Sequence, residues 1–286
     1  MHIETIKFIQ KFQTPLLDKL FQIVTRAGES SFFILLFVLL FWCIDKKFAY
    51  KLGISYITNG LINISLKETF KIPRPIGEPG VQSFYTETAK GYSFPSGHSQ
   101  ATSSVVTSVM TQLRRKWGYV VGVIIILSVA LSRIYIGVHT LVDVVAGVLI
   151  GVLWVLISNK IFNYIDSSHR KSLMLLYLVP VALSMFFFRT STFYKRAGIL
   201  TSLIMGYTLD SAYMDYDVKT SLWKQIVKYT IGLSGLIFLQ KHLKSLLPSC
   251  LCGIFFRYFI TGIWIFALSP LLFRILRLNE DHIKHI

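Results

Sequence analysis

The sequence predicts an all-α fold: a polytopic membrane helical bundle with a five-helix core, an N-terminal interfacial helix and about four additional C-terminal transmembrane helices. Three observations lead there. The 286 residues are 53% hydrophobic and only 15% charged, with a mean hydropathy of +0.57, whereas a soluble domain carries about 25% charged residues. Several apolar runs approach the roughly 20 residues that cross a bilayer. The basic residues come in small groups set between those runs, as the joints of a multi-pass protein are.

Residues 4–24 place Ile6, Ile9, Phe12, Leu16, Leu17, Leu20, Phe21 and Val24 at helical spacing, interrupted by Lys7, Lys11, Asp18 and Lys19. This is the pattern of a helix lying in the membrane interface. Pro15 kinks it or opens a second helix, with Thr14 as its cap. Acidic residues among the cations of positions 1–29 argue against a signal peptide. Ala27-Gly28-Glu29-Ser30 breaks the helix, and spanning segments follow near 31–44 and 52–67. The polar connection 72–97 holds Pro73, Pro75, Pro79, Gly80 and Pro95 and cannot be one helix. The segment 98–113 carries Ser99, Thr102, Ser103, Ser104, Thr107 and Ser108, which predicts burial among other helices. Segments near 118–135 and 140–158 complete the core, and Gly147 and Gly151 are spaced to let another helix approach closely. The polar stretch 159–171 marks a boundary, giving a core of 1–165 and an extension of 166–286 with apolar segments near 173–188, 197–213, 229–246 and 251–275.

Alternation puts the joints at 45–51, 113–117 and 159–171 on one membrane face. They hold Lys46, Lys47, Lys51, Arg114, Arg115, Lys116, Lys160, Arg170 and Lys171. The opposite face of the core adds only Lys71 and Lys90 beyond Lys67, Arg74 and Arg133. An excess of Lys and Arg marks the cytoplasmic side, so the second face is expected to be extracytoplasmic. The net charge of +16 is explained by these joints and by attraction to anionic lipid, and its dispersal argues against a nucleic-acid partner. Cys43, Cys250 and Cys252 form neither a zinc spacing nor a disulfide framework.

Three strings fall on that second face: Lys67-x6-Arg74-Pro75, Pro95-Ser96-Gly97-His98 and Ser132-Arg133-x5-His139-x3-Asp143. A phosphate monoester carries nearly two negative charges, which calls for fixed cations, and Arg grips it in bidentate fashion. Lys67, Lys71 and Arg74 share a face if the helix persists that far. Ser96 can cap the next helix and Gly97 admits close backbone approach, so the first-turn amides form an anion site with His98 beside it as a proton donor. His139 and Asp143 can share one helix face, the carboxylate fixing the imidazole tautomer and freeing the other nitrogen to attack. The bland alternatives are a helix end marked by cations, a capping turn with an incidental histidine, and a His/Asp pair that caps a helix or binds a metal. The surrounding cations and the lack of a third ligand argue against the metal.

The three strings in this order resemble the phosphatidic acid phosphatase type 2 superfamily, which also includes vanadium haloperoxidases and bacterial acid phosphatases. Every position of that pattern is matched, and the resemblance spans roughly residues 1–160, Cys43-x-Asp45-Lys46 included, without clearly covering 166–286. A tail after such a core is similar to the layout of sphingosine-phosphate and dolichyl-pyrophosphate phosphatases. The resemblance implies a membrane-bound lipid phosphatase without a cofactor or metal. Lys67, Arg74, Arg133, Ser96 and the amides of Gly97 and His98 would hold the phosphate. His139 would attack phosphorus, Asp143 would orient it, and His98 would protonate the leaving oxygen and later deprotonate water. The expected partners are a lipid phosphate or diphosphate and membrane lipids, with a multi-pass cell-membrane location and an extracytoplasmic site. Phosphatidic acid, phosphatidylglycerol phosphate, undecaprenyl diphosphate and sphingoid-base phosphates all fit. A phosphotransferase using the same phosphohistidine and a non-catalytic lipid-binding protein are the rival readings. The extension has three open roles: shaping a lipid entrance, supporting a homodimer, or transport.

Overall fold

The computed structural model describes residues 3–26, 28–168, 170–213 and 216–281, so Ala27, His169 and Asp215 lie outside the described residues. They form helices almost throughout, with one two-residue β pairing of Tyr216-Asp217 with Glu280-Asp281. Three helices among the described residues are long and apolar enough to span a bilayer: Lys116–Tyr135, Leu141–Ser167 and Leu251–Ile275. At about 1.5 Å per residue even the shortest reaches about 30 Å. Their outward faces are apolar, as at Val120, Ile124 and Leu127 or at Val145, Leu149 and Leu153. The protein is an integral membrane protein.

Two helices, Glu4–Gln10 and Pro15–Arg26, make up the interfacial stretch, Pro15 opening the second of them. The chain breaks before Pro15, which lacks the N–H to continue a helix, and Thr14 Oγ1 accepts from Leu17 N at 3.3 Å as the cap. The segment expected near 52–67 is a 25-residue helix, Lys46–Phe70, that carries Lys67 in its last turn. It ends there because Lys71 turns left-handed at φ +50 and Pro73 follows. Lys71, Lys67 and Arg74 therefore do not continue along one helical face. Residues 71–96 hold only the short turn Thr86–Thr88. The last long segment is not one regular helix but Leu251–Ile263 and Ser269–Ile275 joined by the wider turn Trp264–Leu268.

Packing divides the chain into two compact units: Met1–Phe33 with Asn59–Ile157, and Ile34–Thr58 with Ser158–Ile286. The division falls within three helices, Ser30–Leu39, Lys46–Phe70 and Leu141–Ser167, and cuts across the linear order. In the first unit, Ile6, Ala130, Ile134 and Val144 form one core cluster, with Ile9 packed against it. Tyr135, Ile136 and Val138 form another, against Leu17, Phe21 and Phe84. The serine- and threonine-rich helix Gly97–Leu113 is buried at Ser99, Thr102, Ser103, Ser104, Thr107 and Ser108. Glycine makes its neighbour possible: a Cβ at Gly147 would stand 2.7 Å from Ser96 O, and one at Gly151 would stand 2.6 Å from Gln100 O.

The second unit is built on similar close approach. A Cβ at Gly198 would meet Phe255 O at 2.5 Å, and Trp42 Nε1 donates to Ile265 O at 3.1 Å. Lys46 pairs with Asp210 at 3.1 Å, and Asp166 takes Lys47 and the hydroxyl of Tyr207. Asp210 thus has a structural ion partner.

Candidate active site

All eight residues singled out from the sequence lie in the first unit. The helix Lys46–Phe70 brings Lys67 to its C-terminal turn, and the loop beyond brings Arg74. The start of Gly97–Leu113 carries Gly97 and His98, with Ser96 as N-cap. Arg133 ends Lys116–Tyr135, His139 sits in the turn that follows, and Asp143 lies in the first turn of Leu141–Ser167. Gly137 makes that turn: its φ is +71, and a Cβ there would lie 2.4 Å from Gln82 O. Lys67, Arg74 and Arg133 are each near enough to act electrostatically on both His98 and His139.

His139 is 1% exposed. Its Nδ1 faces Asp143 Oδ2 at 3.5 Å and Ser93 Oγ at 3.3 Å, while its Nε2 lies 2.9 Å from Arg74 Nη1. A guanidinium only donates, so Nε2 accepts and the proton belongs on Nδ1. Burial, with the neighbouring cations, holds the imidazole well below the usual histidine range, against the opposing pull of Asp143. Asp143 Oδ2 also accepts from Ser93 Oγ at 2.7 Å and from Thr140 N at 2.8 Å. The carboxylate is therefore fixed before it meets the ring.

The two early cations hold one loop. Arg74 donates to Lys90 O (3.0 Å), Gly91 O (2.9 Å) and Val138 O (3.1 Å). Lys67 donates to Tyr92 O and Ser93 O. Four consecutive carbonyls, 90 to 93, thus face two cations. Burial lowers Arg74 to about 10, with Asp143 opposing, and it stays charged at neutral pH. Arg133 differs. It is fully buried, its Nη1 donates to Thr25 Oγ1 at 2.8 Å, and its Nε and Nη2 have no partner among the described residues. His98 Nε2 is likewise buried without one. Buried polar atoms are nearly always hydrogen-bonded, so unsatisfied donors beside two cations and a second imidazole suit an anion. Ser96 Oγ accepts from Ser99 Oγ at 2.9 Å and keeps its own proton to donate.

Several residues at the site escaped the sequence reading. Ser93 joins the His139–Asp143 pair, and Thr25 holds Arg133. Asn59, Asn63 and Gln100 form a buried amide ladder: Asn63 Nδ2 donates to Gln100 Oε1 at 2.7 Å and to Pro95 O at 3.2 Å, and Gln100 Nε2 donates to Asn59 Oδ1 at 2.8 Å. The ladder ties the Pro95–His98 turn to the helix of Lys67. The spacing of Asn59, Asn63 and Lys67 by fours carried that signal, because amides on one face of an apolar helix need buried partners. No motif signal marked Ser93 or Thr25.

A family model described as the PAP2 superfamily matches residues 48–167. A second, described as PAP2 superfamily phosphatase, transmembrane extension, matches residues 194–281. The resemblance therefore extends into the segment past residue 166, which the motifs, lying only in the first half, did not clearly cover. Sphingosine-1-phosphate phosphatase 1 of Rattus norvegicus is 23% identical over 82% of this chain and 62% of its own length. Sphingosine-1-phosphate phosphatase 2 of Homo sapiens is 31% identical over 51% of this chain and 38% of its own. The chain thus spans less than two thirds of those relatives. Undecaprenyl-diphosphatase of Sulfolobus acidocaldarius is 31% identical over 52% of this chain and 73% of its own length. The crystal structure of Aquifex aeolicus LpxE aligns with a TM-score of 0.51 at 27% identity, covering 55% of this chain and 93% of that one.

Proposed function

The chain belongs to the PAP2 superfamily, and from that premise we propose that it is a membrane phosphatase that hydrolyses a lipid phosphate or lipid diphosphate through a phosphohistidine. The observation that carries the reading is the set of buried, unpartnered donors on Arg133 and His98 beside the oriented imidazole of His139. A phosphoryl group supplies the acceptors those donors lack.

His139 Nε2 attacks phosphorus in line with the leaving oxygen. The ring's Nδ1–H stays directed at Asp143 and Ser93, which stabilise the developing positive charge. His98 gives its Nε2 proton to the departing oxygen. The phosphohistidine is then attacked by water, which His98 deprotonates, and inorganic phosphate leaves. Lys67, Arg74 and Arg133 offset the charge on the equatorial oxygens, with Ser96 and the amides of Gly97 and His98 as further donors. These fixed cations do the work a divalent ion does in other phosphoryl-transfer sites, so no metal is required. We place the reaction in the core 1–165, at the extracytoplasmic face indicated by the nine cations of the opposite joints, and leave the extension 166–286 open between the three roles named above. A location among lipid headgroups favours a lipid substrate, and the relatives named for sphingosine-1-phosphate and undecaprenyl diphosphate set the first compounds to try.

The test is phosphate release by purified protein from sphingosine-1-phosphate, phosphatidic acid, phosphatidylglycerol phosphate and undecaprenyl diphosphate, with a chelator present and His139→Ala as control. Release from at least one, lost in the variant, is the expected result. A need for added metal, or an active His139→Ala protein, overturns the mechanism. A phosphorylated acceptor lipid in place of free phosphate makes the protein a phosphotransferase.

A further inference from the structure

Of the Arg74 and Arg133 guanidiniums, that of Arg133 has a side-on fork with no partner among the described residues. In the planar guanidinium, Nε–H and Nη2 lie along one edge and present two parallel N–H bonds, the geometry that grips a phosphate or carboxylate. Both are buried and unpartnered here, while Nη1, on the other edge, is hydrogen-bonded to Thr25 Oγ1 at 2.8 Å. Thr25 is itself fully buried, in the last turn of the helix Pro15–Arg26. Arg74, by contrast, spends its edge donors on Gly91 O and Lys90 O.

The helix that carries Thr25 is anchored against the same part of the fold. Asp18 Oδ1 accepts from Tyr135 Oη at 2.7 Å, and the Phe21 and Tyr135 rings lie 4.2 Å apart. Tyr135 is two residues beyond Arg133. Just past the helix, a Cβ at Gly28 would approach the His98 ring at 3.0 Å, so this segment also lines the proton donor. The outward face of the helix bears Leu16, Leu20 and Ile23, all exposed, as a helix at a lipid boundary does.

We infer that Thr25 is a positioning residue that turns the Nε/Nη2 edge of Arg133 toward the phosphoryl group, making the N-terminal helix part of the phosphate site. The inference rests on the proposed phosphatase reading for the identity of the anion. The geometry is selective: one acceptor on Nη1 pins the rotation of the guanidinium without consuming its bidentate edge. A buried charge with one partner fewer turns toward the nearest carbonyl or carboxylate, and Glu29 acts electrostatically on Arg133 from this segment.

Thr25→Val keeps the shape and removes the acceptor, and Thr25→Ser restores it. Binding is read with orthovanadate as the probe, by protection against thermal unfolding in detergent, alongside hydrolysis of the lipid panel. Losing one charge-assisted hydrogen bond that holds a bidentate donor should weaken vanadate binding about 10- to 100-fold in Thr25→Val, with Thr25→Ser within about 3-fold of the parent. The unliganded unfolding midpoints of the two variants report any merely structural damage. If Thr25→Val binds vanadate as the parent does, or if Thr25→Ser binds as weakly as Thr25→Val, the inference falls. A parent protein that binds vanadate in a Thr25-dependent way but hydrolyses no lipid keeps the inference and overturns the phosphatase reading. A parent that binds no vanadate overturns both.

Discussion

Ser93 donates its hydroxyl proton to Asp143 Oδ2 at 2.7 Å, so the carboxylate facing His139 is fixed by a residue outside the three motif strings. Ser93 Oγ lies 3.3 Å from His139 Nδ1, closer than Asp143 Oδ2 at 3.5 Å. Ser93 is also where the loop meets Lys67, through its carbonyl at 3.0 Å. One residue thus links Lys67, proposed to bind phosphate, to the orientation of the His139 imidazole.

Ser93→Ala should therefore act on the chemical step. Hydrogen bonds to charged groups contribute about 1.5–3 kcal/mol, so kcat should fall about 10- to 100-fold with little change in KM. Steady-state kinetics on the best substrate of the panel checks this. A kcat within a factor of about two of the parent would mean that Asp143 is held adequately by Thr140 N alone.

His98 is tested through the leaving group. Its Nε2 is buried with no hydrogen-bond partner among the described residues, which suits the proposed meeting with a departing oxygen. His98→Asn should slow hydrolysis of an alkyl phosphate about 10²- to 10⁴-fold. A p-nitrophenyl ester departs without protonation, so formation of the phosphohistidine from it should be nearly unaffected. Rapid-quench trapping of the phosphorylated protein separates the two steps. Equal slowing of both esters would rule out His98 as the acid.

The sequence announced the helices and the reacting groups for definite reasons. Apolar runs must become helices in lipid, where each backbone polar group needs an internal partner. The three strings are visible because imidazole, guanidinium and carboxylate at those spacings have few structural uses together. Ser93 and Thr25 were invisible because a hydroxyl gains its role only from what folding brings against it: Thr25 lies 108 positions from Arg133, and Ser93 lies 50 from Asp143. The carbonyls that occupy Lys67 and Arg74 were equally hidden, since backbone acceptors carry no sequence signature. The continuation of Lys46–Phe70 past its apolar stretch was missed for another reason: hydropathy ends where polar residues begin, whereas the helix ends only at Lys71 and Pro73.

The pH profile follows from the buried ring. In the proposed mechanism His139 attacks only when Nε2 is unprotonated. Its titration is held well below the usual histidine range, first by burial and then by the nearby cations. The neutral form therefore persists as pH falls through about 6.5, where an exposed histidine becomes protonated. The acid limb of kcat/KM should lie below that value, because this ratio reports the groups of the free enzyme. A limb at or above about 6.5 in a non-sticky substrate would place the ring in water, not in the buried setting seen here.

Gly147 and Gly151 separate stability from activity. A methyl at 147 would lie 2.7 Å from Ser96 O and 3.3 Å from Gln100 N, against the turn that carries His98. One helical turn deeper, a methyl at 151 would lie 2.6 Å from Gln100 O and press on the Ser103 side chain, which can rotate. Each substitution by alanine overpacks a helix pair and should destabilise the protein by about 1–3 kcal/mol, read as a lowered unfolding midpoint in detergent. The two should differ in activity measured well below those midpoints. Gly147→Ala pushes on the carbonyl before Gly97 and displaces the donors of the first turn, where a misplacement of about 1 Å costs about 10²-fold. Gly151→Ala relaxes within the helix pair and should leave most of the activity in place. Equal loss of activity in both, at matched stability, would show that the two helices move as one rigid pair and that the turn has no separate freedom.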